Sequence, residues 1–178
     1  MPHGGRRPAY ERHCVEHAHD PRVPSEHALR ARNSDFEGMS VEVARVDGKG
    51  LGVVARVGMG EGVLTSYYLT KAYKTKHHFS SSEYRMSSGI RGYVLDLFDH
   101  SFPEPGEDGI PYIAPLVNEP TYGEQEQNCG MLPMPLDDED GTLRRHGLVT
   151  TRKVAAGEEL VWDYGPGYGK RSYPSKYN

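Results

Sequence analysis

The sequence predicts a mainly β chain of small sheets, on three observations. Short apolar runs, one of them cleanly alternating at residues 39–46 (MSVEVARV), read as strands. Turn residues punctuate those runs in a chain with 21 glycines and 13 prolines, a composition that argues against a helical bundle. Hydrophobic residues make up only 36 % of the 178 positions. That is enough for one domain with a core, carrying long loops or ends.

Residues 1–36 are poor in large apolar side chains and rich in His, Arg and Pro, and read as a flexible tail. His13, Cys14, His17 and His19 are of zinc-ligand type. No second ligand pair accompanies them, so a solvated tail is the favoured reading and no metal site is expected. After the strand at 39–46, residues 47–50 (DGKG) turn and 51–57 (LGVVARV) form a second strand, giving a hairpin with glycines at 48, 50 and 52. This glycine turn opens no helix, which excludes dinucleotide-binding and P-loop readings. It is either an ordinary hairpin turn or a backbone against which a ligand can lie. Residues 63–69 (VLTSYYL) are a third strand.

The next stretch is less regular. Residues 71–76 are basic, 79–88 form a helical turn or loop, 92–98 (GYVLDLF) a strand and 101–109 a loop. Residues 111–117 (PYIAPLV) are apolar and lead to Asn118, with Asn128 ten residues on. Such asparagines close Asx turns or orient a ligand, the turns being favoured on spacing alone. Residues 131–136 and 147–152 make another hairpin around the acidic turn at 137–140 (DDED). Beyond a turn at 155–157 (AAG), a short strand at 159–162 (ELVW) ends in Asp163, Tyr164 and Gly165. It delivers one phenol to the end of an apolar strand, with a glycine behind it.

No apolar run approaches the ~18 to 20 residues of a membrane span, and the N-terminal residues lack the apolar stretch of a secretory leader. Two cysteines, Cys14 and Cys129, are too few for a disulfide framework or a multi-cysteine zinc cluster and suit a reducing, intracellular compartment. The net charge of −4 is uneven: residues 1–32 carry +2, residues 166–178 carry +3, and residues 33–165 hold −9. An acidic body between basic ends suits a basic protein partner better than a nucleic-acid backbone, or simply keeps the domain soluble. Neither a membrane partner nor a direct nucleic-acid site is expected.

Three motifs, in order, resemble the SET-domain family of protein lysine methyltransferases. GKGLGVVARVGMGEGV (48–63) looks like the family's G-x-G hairpin and following strand. NEPTYGEQEQNC (118–129) is similar to its N-H-S-x-x-P-N segment, with a longer loop. TTRKVAAGEELVWDYG (150–165) is close to A-T-R-x-I-x-x-G-E-E-L-x-x-D-Y-G and is the most specific of the three. The resemblance divides the chain into a tail (1–36), a SET domain (37–166) and a C-terminal tail or lid (167–178). It implies a β-clip-like fold of small curved sheets with a C-terminal pseudoknot. It also implies S-adenosyl-L-methionine as cofactor and N-methylation of a lysine in a basic protein, a histone tail first. A nuclear location follows from that substrate (the host nucleus for a viral chain).

By motif position, Lys49, Gly50 and Leu51 match the backbone that lines the cofactor. Asn118 matches the asparagine that holds it, and Asn128 the second asparagine of that motif. Tyr164 matches the catalytic tyrosine, also beside the cofactor. Tyr68 matches a tyrosine at the end of the third strand and would wall the lysine channel, with Tyr67 the alternative if the register slips. Glu119, counted among the expected cofactor contacts, stands where the family usually has His, and Pro115 where an Arg often precedes the motif. No cysteine-rich segment follows Gly165. Tyr168, Tyr173 and Tyr177 are the residues positioned to close the site, or a homodimer completes it. The departures keep open a catalytically silent SET-like module that binds peptides or partners, and an enzyme acting on a non-histone basic protein.

Overall fold

The computed structural model describes residues 39–77, 86–87, 91–97, 108–134, 136, 142–166 and 174–177. The expected tail at 1–36 with its histidines and Cys14, the acidic turn at 137–140, Tyr168 and Tyr173 lie outside the described residues.

The mainly β class is what the described chain adopts, as two antiparallel sheets. Strands β1 (Val41–Val46) and β2 (Gly50–Ala55) form the smaller sheet, in a register that sets Val43 opposite Val53. Their turn is closed by the Lys49 N–H donating to the Val46 carbonyl at 3.1 Å. Gly48 and Gly50 sit at φ 73° and 87°, a region that side chains with a Cβ rarely enter. The alternation in β1 turns Val41 and Val43 inward, onto buried Val53 and Ala55 of β2.

The larger sheet contains β3 (Leu64–Lys74), β4 (Met86–Ser87), β5 (Tyr93–Leu97), β6 (Cys129–Met134) and β7 (Leu143–Thr150), in the order β4-β5-β3-β7-β6. β3 runs well past the expected residue 69, because from Thr70 to Lys74 it gains a second partner in β5. Tyr68 is therefore at mid-strand rather than at a strand end. Gly147 of β7 lies so close to its neighbours that a Cβ there would come within 2.7 Å of Leu64 Cδ1 and 3.1 Å of Met134 Cγ. That packing holds the three strands β3, β7 and β6 tightly together.

The sequence left the form of one segment open and predicted another as a strand. The apolar run at 111–117 folds into a short buried 3-10 turn, Ala114–Leu116, with Pro115 in its first positions, where a missing N–H costs no hydrogen bond. Residues 159–162 belong to neither sheet. Glu159 makes an isolated antiparallel bridge to Val54, and Val161 a parallel one to Asn118.

That second segment is the tie between the two sheets. Val154 and Met59 exchange two backbone hydrogen bonds, of 2.9 and 3.0 Å. The Gly157 N–H donates to the Ala55 carbonyl and the Leu160 N–H to Val53. One step further along, the Trp162 N–H donates to the Asn118 carbonyl, while the Asn128 and Cys129 N–H groups both donate to Val161. Residues 154–162 thus lie between β2 and the two ends of the 118–129 loop. Leu160, Val161 and Val154 are fully buried there, each stabilising the join by about 1.5 to 3 kcal/mol of side-chain burial.

Candidate functional site

The same tie brings the three separated motifs side by side. Asn118 donates from Nδ2 to the Leu51 carbonyl at 3.0 Å and to Glu159 Oε1 at 2.9 Å. Its Oδ1 has no partner among the described residues. The approach is possible only because residue 52 is glycine. A Cβ at that position would come within 2.8 Å of Asn118 Nδ2 and 2.6 Å of Val46 Cγ2. A Cβ on Gly50, by contrast, would meet nothing within 4 Å among the described residues, so the backbone there borders open space with respect to them.

Beneath this pair lies a buried charge cluster. The Lys49 side chain is 3 % exposed and its ion-pair partner Glu159 8 %, with Nζ and Oε2 3.3 Å apart. Lys49 Nζ also donates to the Glu119 carbonyl at 2.9 Å and to Gln125 Oε1. Gln125 in turn donates from Nε2 to Glu159 Oε2 at 2.8 Å and accepts from the Thr121 N–H. A buried ammonium and a buried carboxylate are tolerated because each has hydrogen-bond partners besides the other.

Asn128 is buried and acts as a brace. Its Oδ1 accepts the Val161 N–H at 2.8 Å, and its Nδ2 donates to Glu158 Oε1 and to the Glu159 carbonyl. Burial pushes the Glu158 carboxyl upward. The Ala155 N–H, Asn128 and Arg152 outweigh it and hold the group below the usual carboxylate range.

Tyr164 is half-buried. Its hydroxyl donates to the Val117 carbonyl at 2.6 Å, and Trp162 meets its ring edge-on with centroids 5.2 Å apart. Residue 117 immediately precedes Asn118, so the phenol is anchored one residue from the asparagine. A hydroxyl that has committed its proton retains lone pairs that can accept from an amine.

Tyr68 and Tyr67 point to opposite faces of β3, as the period of a strand requires. Tyr68 is buried in the main hydrophobic core, opposite His146 in the ladder. Tyr67 faces the other way, donating to Asp108 Oδ2 at 2.8 Å, with Tyr112 5.3 Å from its ring and the Arg145 guanidinium over its face. Burial, followed by the Asp108 carboxylate, raises the Tyr67 phenol above its ordinary pKa.

Glu119 is 2 % exposed and accepts the Ser175 hydroxyl on Oε2 at 3.1 Å. The C-terminal residues continue to Asp163, which accepts the Tyr177 hydroxyl at 3.0 Å and pairs with Lys176. Burial pushes the Asp163 carboxyl up. The bonds from Lys176, the Gly165 N–H and Tyr177 together outweigh that and hold it low.

Beside the cluster is a hollow of about 490 Å³ lined by Glu124, Gln125, Glu126, Asn128, Arg152, Glu158, Glu159 and Val161. Four carboxylates against one guanidinium make it electronegative. Cys129, at the root of β6, is buried, and desolvation pushes its thiol up to about 12, which makes it a packing residue rather than a nucleophile. Among the described residues there is no group of three or more His, Cys, Asp or Glu that could hold a metal ion.

Several contributors were not singled out on the sequence. Gly52 lies within the glycine motif but was not separated from Gly50. Glu159 sits inside the most specific motif, and only its partners reveal its role. Gln125 and Ser175 carry no signal in composition or spacing.

No family model and no curated protein matches the sequence. Solved structures do match. ATXR5 in complex with mono-methylated histone H3.1 superposes with a TM-score of 0.52 at 18 % identity, over 83 % of this chain and 66 % of that one. The ATXR5 SET domain in complex with di-methylated histone H3 gives a TM-score of 0.52 at 17 % identity, over 86 % and 72 %. Among the described residues no helix is long and apolar enough to cross a membrane. The likeness is one of backbone architecture, and on it the chain has the fold of a SET domain.

Proposed function

We propose that the chain is an S-adenosyl-L-methionine-dependent protein-lysine N-methyltransferase acting on a basic protein, a histone tail first, in the nucleus. The observation that carries this reading is the meeting of the glycine hairpin, Asn118 and the Tyr164 segment, on a fold shared with proteins crystallised with histone H3. Lys49, Gly50, Leu51, Asn118 and Glu119 belong to this reading as the cofactor-side residues, and Tyr164 and Tyr68 as the substrate-side ones.

The residues fit the cofactor on two counts. Asn118 Oδ1 is an acceptor without a protein partner among the described residues, and the Gly50 backbone borders open space. The bound cofactor supplies an electrophilic methyl group. The chain's own contribution is placement and desolvation. Asn118 and the hairpin backbone hold the donor side. Tyr164, its proton fixed on the Val117 carbonyl, orients the incoming amine through its oxygen lone pairs. An apolar approach helps a lysine of ordinary pKa about 10.4 lose its proton before it attacks. Holding the two reactants at near-attack distance supplies several kcal/mol, with ~7 to 11 as the ceiling. The acidic body, net −9 over residues 33–165, favours a basic peptide.

Titration calorimetry with S-adenosyl-L-methionine tests the reading. Saturable one-site binding supports it, and no binding to the folded chain points instead to the silent peptide-binding module.

A further inference from the structure

We infer that Glu159 is a positioning residue of the cofactor site, acting by fixing which end of the Asn118 amide is presented to a ligand. The inference rests on the reading of that site as an S-adenosyl-L-methionine site, and it adds a residue whose role no motif match supplies.

An ionised carboxylate only accepts hydrogen bonds. Every group that meets Glu159 must therefore turn a donor towards it. Asn118 meets Oε1 at 2.9 Å, so its Nδ2 faces Glu159. Gln125 and Lys49 meet Oε2 at 2.8 and 3.3 Å, so Nε2 and Nζ face it as well. The second Nδ2 proton of Asn118 is taken by the Leu51 carbonyl. Both amide protons are then committed, and Oδ1 is left as the hydrogen-bonding atom of the side chain without a protein partner among the described residues. The site is thereby built to accept from a ligand N–H rather than to donate to a ligand oxygen.

Lys49 lies 3.3 Å from the Glu159 carboxylate, whose side chain is 8 % exposed. The ammonium supplies the counter-charge, and its other bonds go to the Glu119 carbonyl and Gln125 Oε1. Gln125, ordered by Lys49 and by the Thr121 N–H, closes the ring from the side of the longer loop. The three chain segments are joined through one acceptor, Glu159.

The test uses the full chain and compares wild type with Glu159→Gln, Lys49→Met/Glu159→Gln and the surface control Glu42→Gln. Glutamine keeps the shape of the side chain but offers both a donor and an acceptor, so the Leu51 carbonyl is left as the one acceptor-only group that orients the Asn118 amide. The expected result for Glu159→Gln is about tenfold weaker S-adenosyl-L-methionine binding by calorimetry, the scale of one hydrogen bond. Its kcat at saturating cofactor stays within about threefold of wild type, the loss falling on KM. The cofactor-free protein supplies an independent readout: slow exchange of the Asn118 side-chain amide protons in wild type, fast exchange in Glu159→Gln. The double variant removes the stranded ammonium and recovers thermal stability, but not affinity. Glu42→Gln behaves as wild type throughout. The inference is overturned if folded Glu159→Gln binds as tightly as wild type, or if the double variant regains affinity along with stability. A folded wild type that binds no S-adenosyl-L-methionine overturns the functional reading and this inference together, so the two failures are distinguishable.

Discussion

Ser175 donates its hydroxyl to Glu119 Oε2 at 3.1 Å, and both residues are buried. The residue that departs from the family motif thus has a partner supplied by the C-terminal end of the chain. The Tyr122 N–H donates to the Pro174 carbonyl, and Tyr177 and Lys176 hold Asp163. A stretch of four residues spans from the loop after Asn118 to the residue before Tyr164. Ser175→Ala takes a donor from a buried carboxylate, which costs about 1 to 3 kcal/mol. At about 2 to 4 °C per kcal/mol for a chain of this size, calorimetry registers a clear fall in Tm. Glu119→Gln, which keeps an acceptor for Ser175, loses less. An unchanged Tm in Ser175→Ala contradicts the assignment.

Tyr164→Phe removes one hydroxyl and its bond to the Val117 carbonyl. Stability falls by about 1 kcal/mol, while cofactor binding persists because Asn118 and the hairpin are untouched. Methyl transfer falls by about 10²-fold or more, the scale of one lost hydrogen bond in a preorganised site. Single-turnover assays alongside calorimetry separate the two effects.

Gly52→Ala places a Cβ 2.8 Å from Asn118 Nδ2 and 2.6 Å from Val46 Cγ2. Both contacts are too short for a real Cβ, so both neighbours must move. Overpacking of this kind costs about 1 to 3 kcal/mol, and cofactor affinity falls with it because Asn118 is one of the two displaced side chains. Gly50→Ala meets no atom within 4 Å among the described residues, but its φ of 87° penalises the new side chain. Denaturant titration and calorimetry on the pair distinguish crowding from backbone strain.

His146 supplies the pH dependence. Burial, and then the neighbouring Arg144, hold its imidazole below the ordinary value of 6.5, and its Nδ1 is buried with no hydrogen-bond partner among the described residues. The unfolded chain therefore binds a proton at a higher pH than the folded one. The stability involved is fully present above about pH 6.5 and is lost progressively as pH falls towards the depressed folded value. His146→Gln flattens that limb of a stability-versus-pH curve, and an unchanged slope below pH 6.5 contradicts the assignment.

How much of this was legible in the sequence depends on whether the cause is local. The β1–β2 hairpin is legible because alternation and turn residues lie within a few positions of each other. The β6–β7 hairpin is legible as a pairing but not in its bounds, its strands being Cys129–Met134 and Leu143–Thr150 rather than 131–136 and 147–152. β3 extends past the strand that its own residues indicate because its last five residues are held by β5, 19 to 27 positions on. Residues 159–162 look like a strand because they are apolar and extended, yet their hydrogen bonds go to β2, Asn118 and the start of β6. Tyr67 and Tyr68 cannot be ranked by pattern, since adjacent strand residues differ only in face, and pairing with β7 decides which one enters the core. The motifs identified Asn118 and Tyr164 as candidates. They did not reveal that Lys49, 110 residues before Glu159, is its buried counter-ion, because nothing in spacing links the two.

The proposed activity is methyl transfer to a basic protein. Transfer of a radiolabelled methyl group from S-adenosyl-L-methionine to a panel of core histones, followed by mass spectrometry of the product, tests it most directly. Label is expected on a histone lysine with wild type, and at least about 10²-fold less with Tyr164→Phe. No label on any histone or other basic protein from a folded wild-type chain, or equal label from Tyr164→Phe, contradicts it.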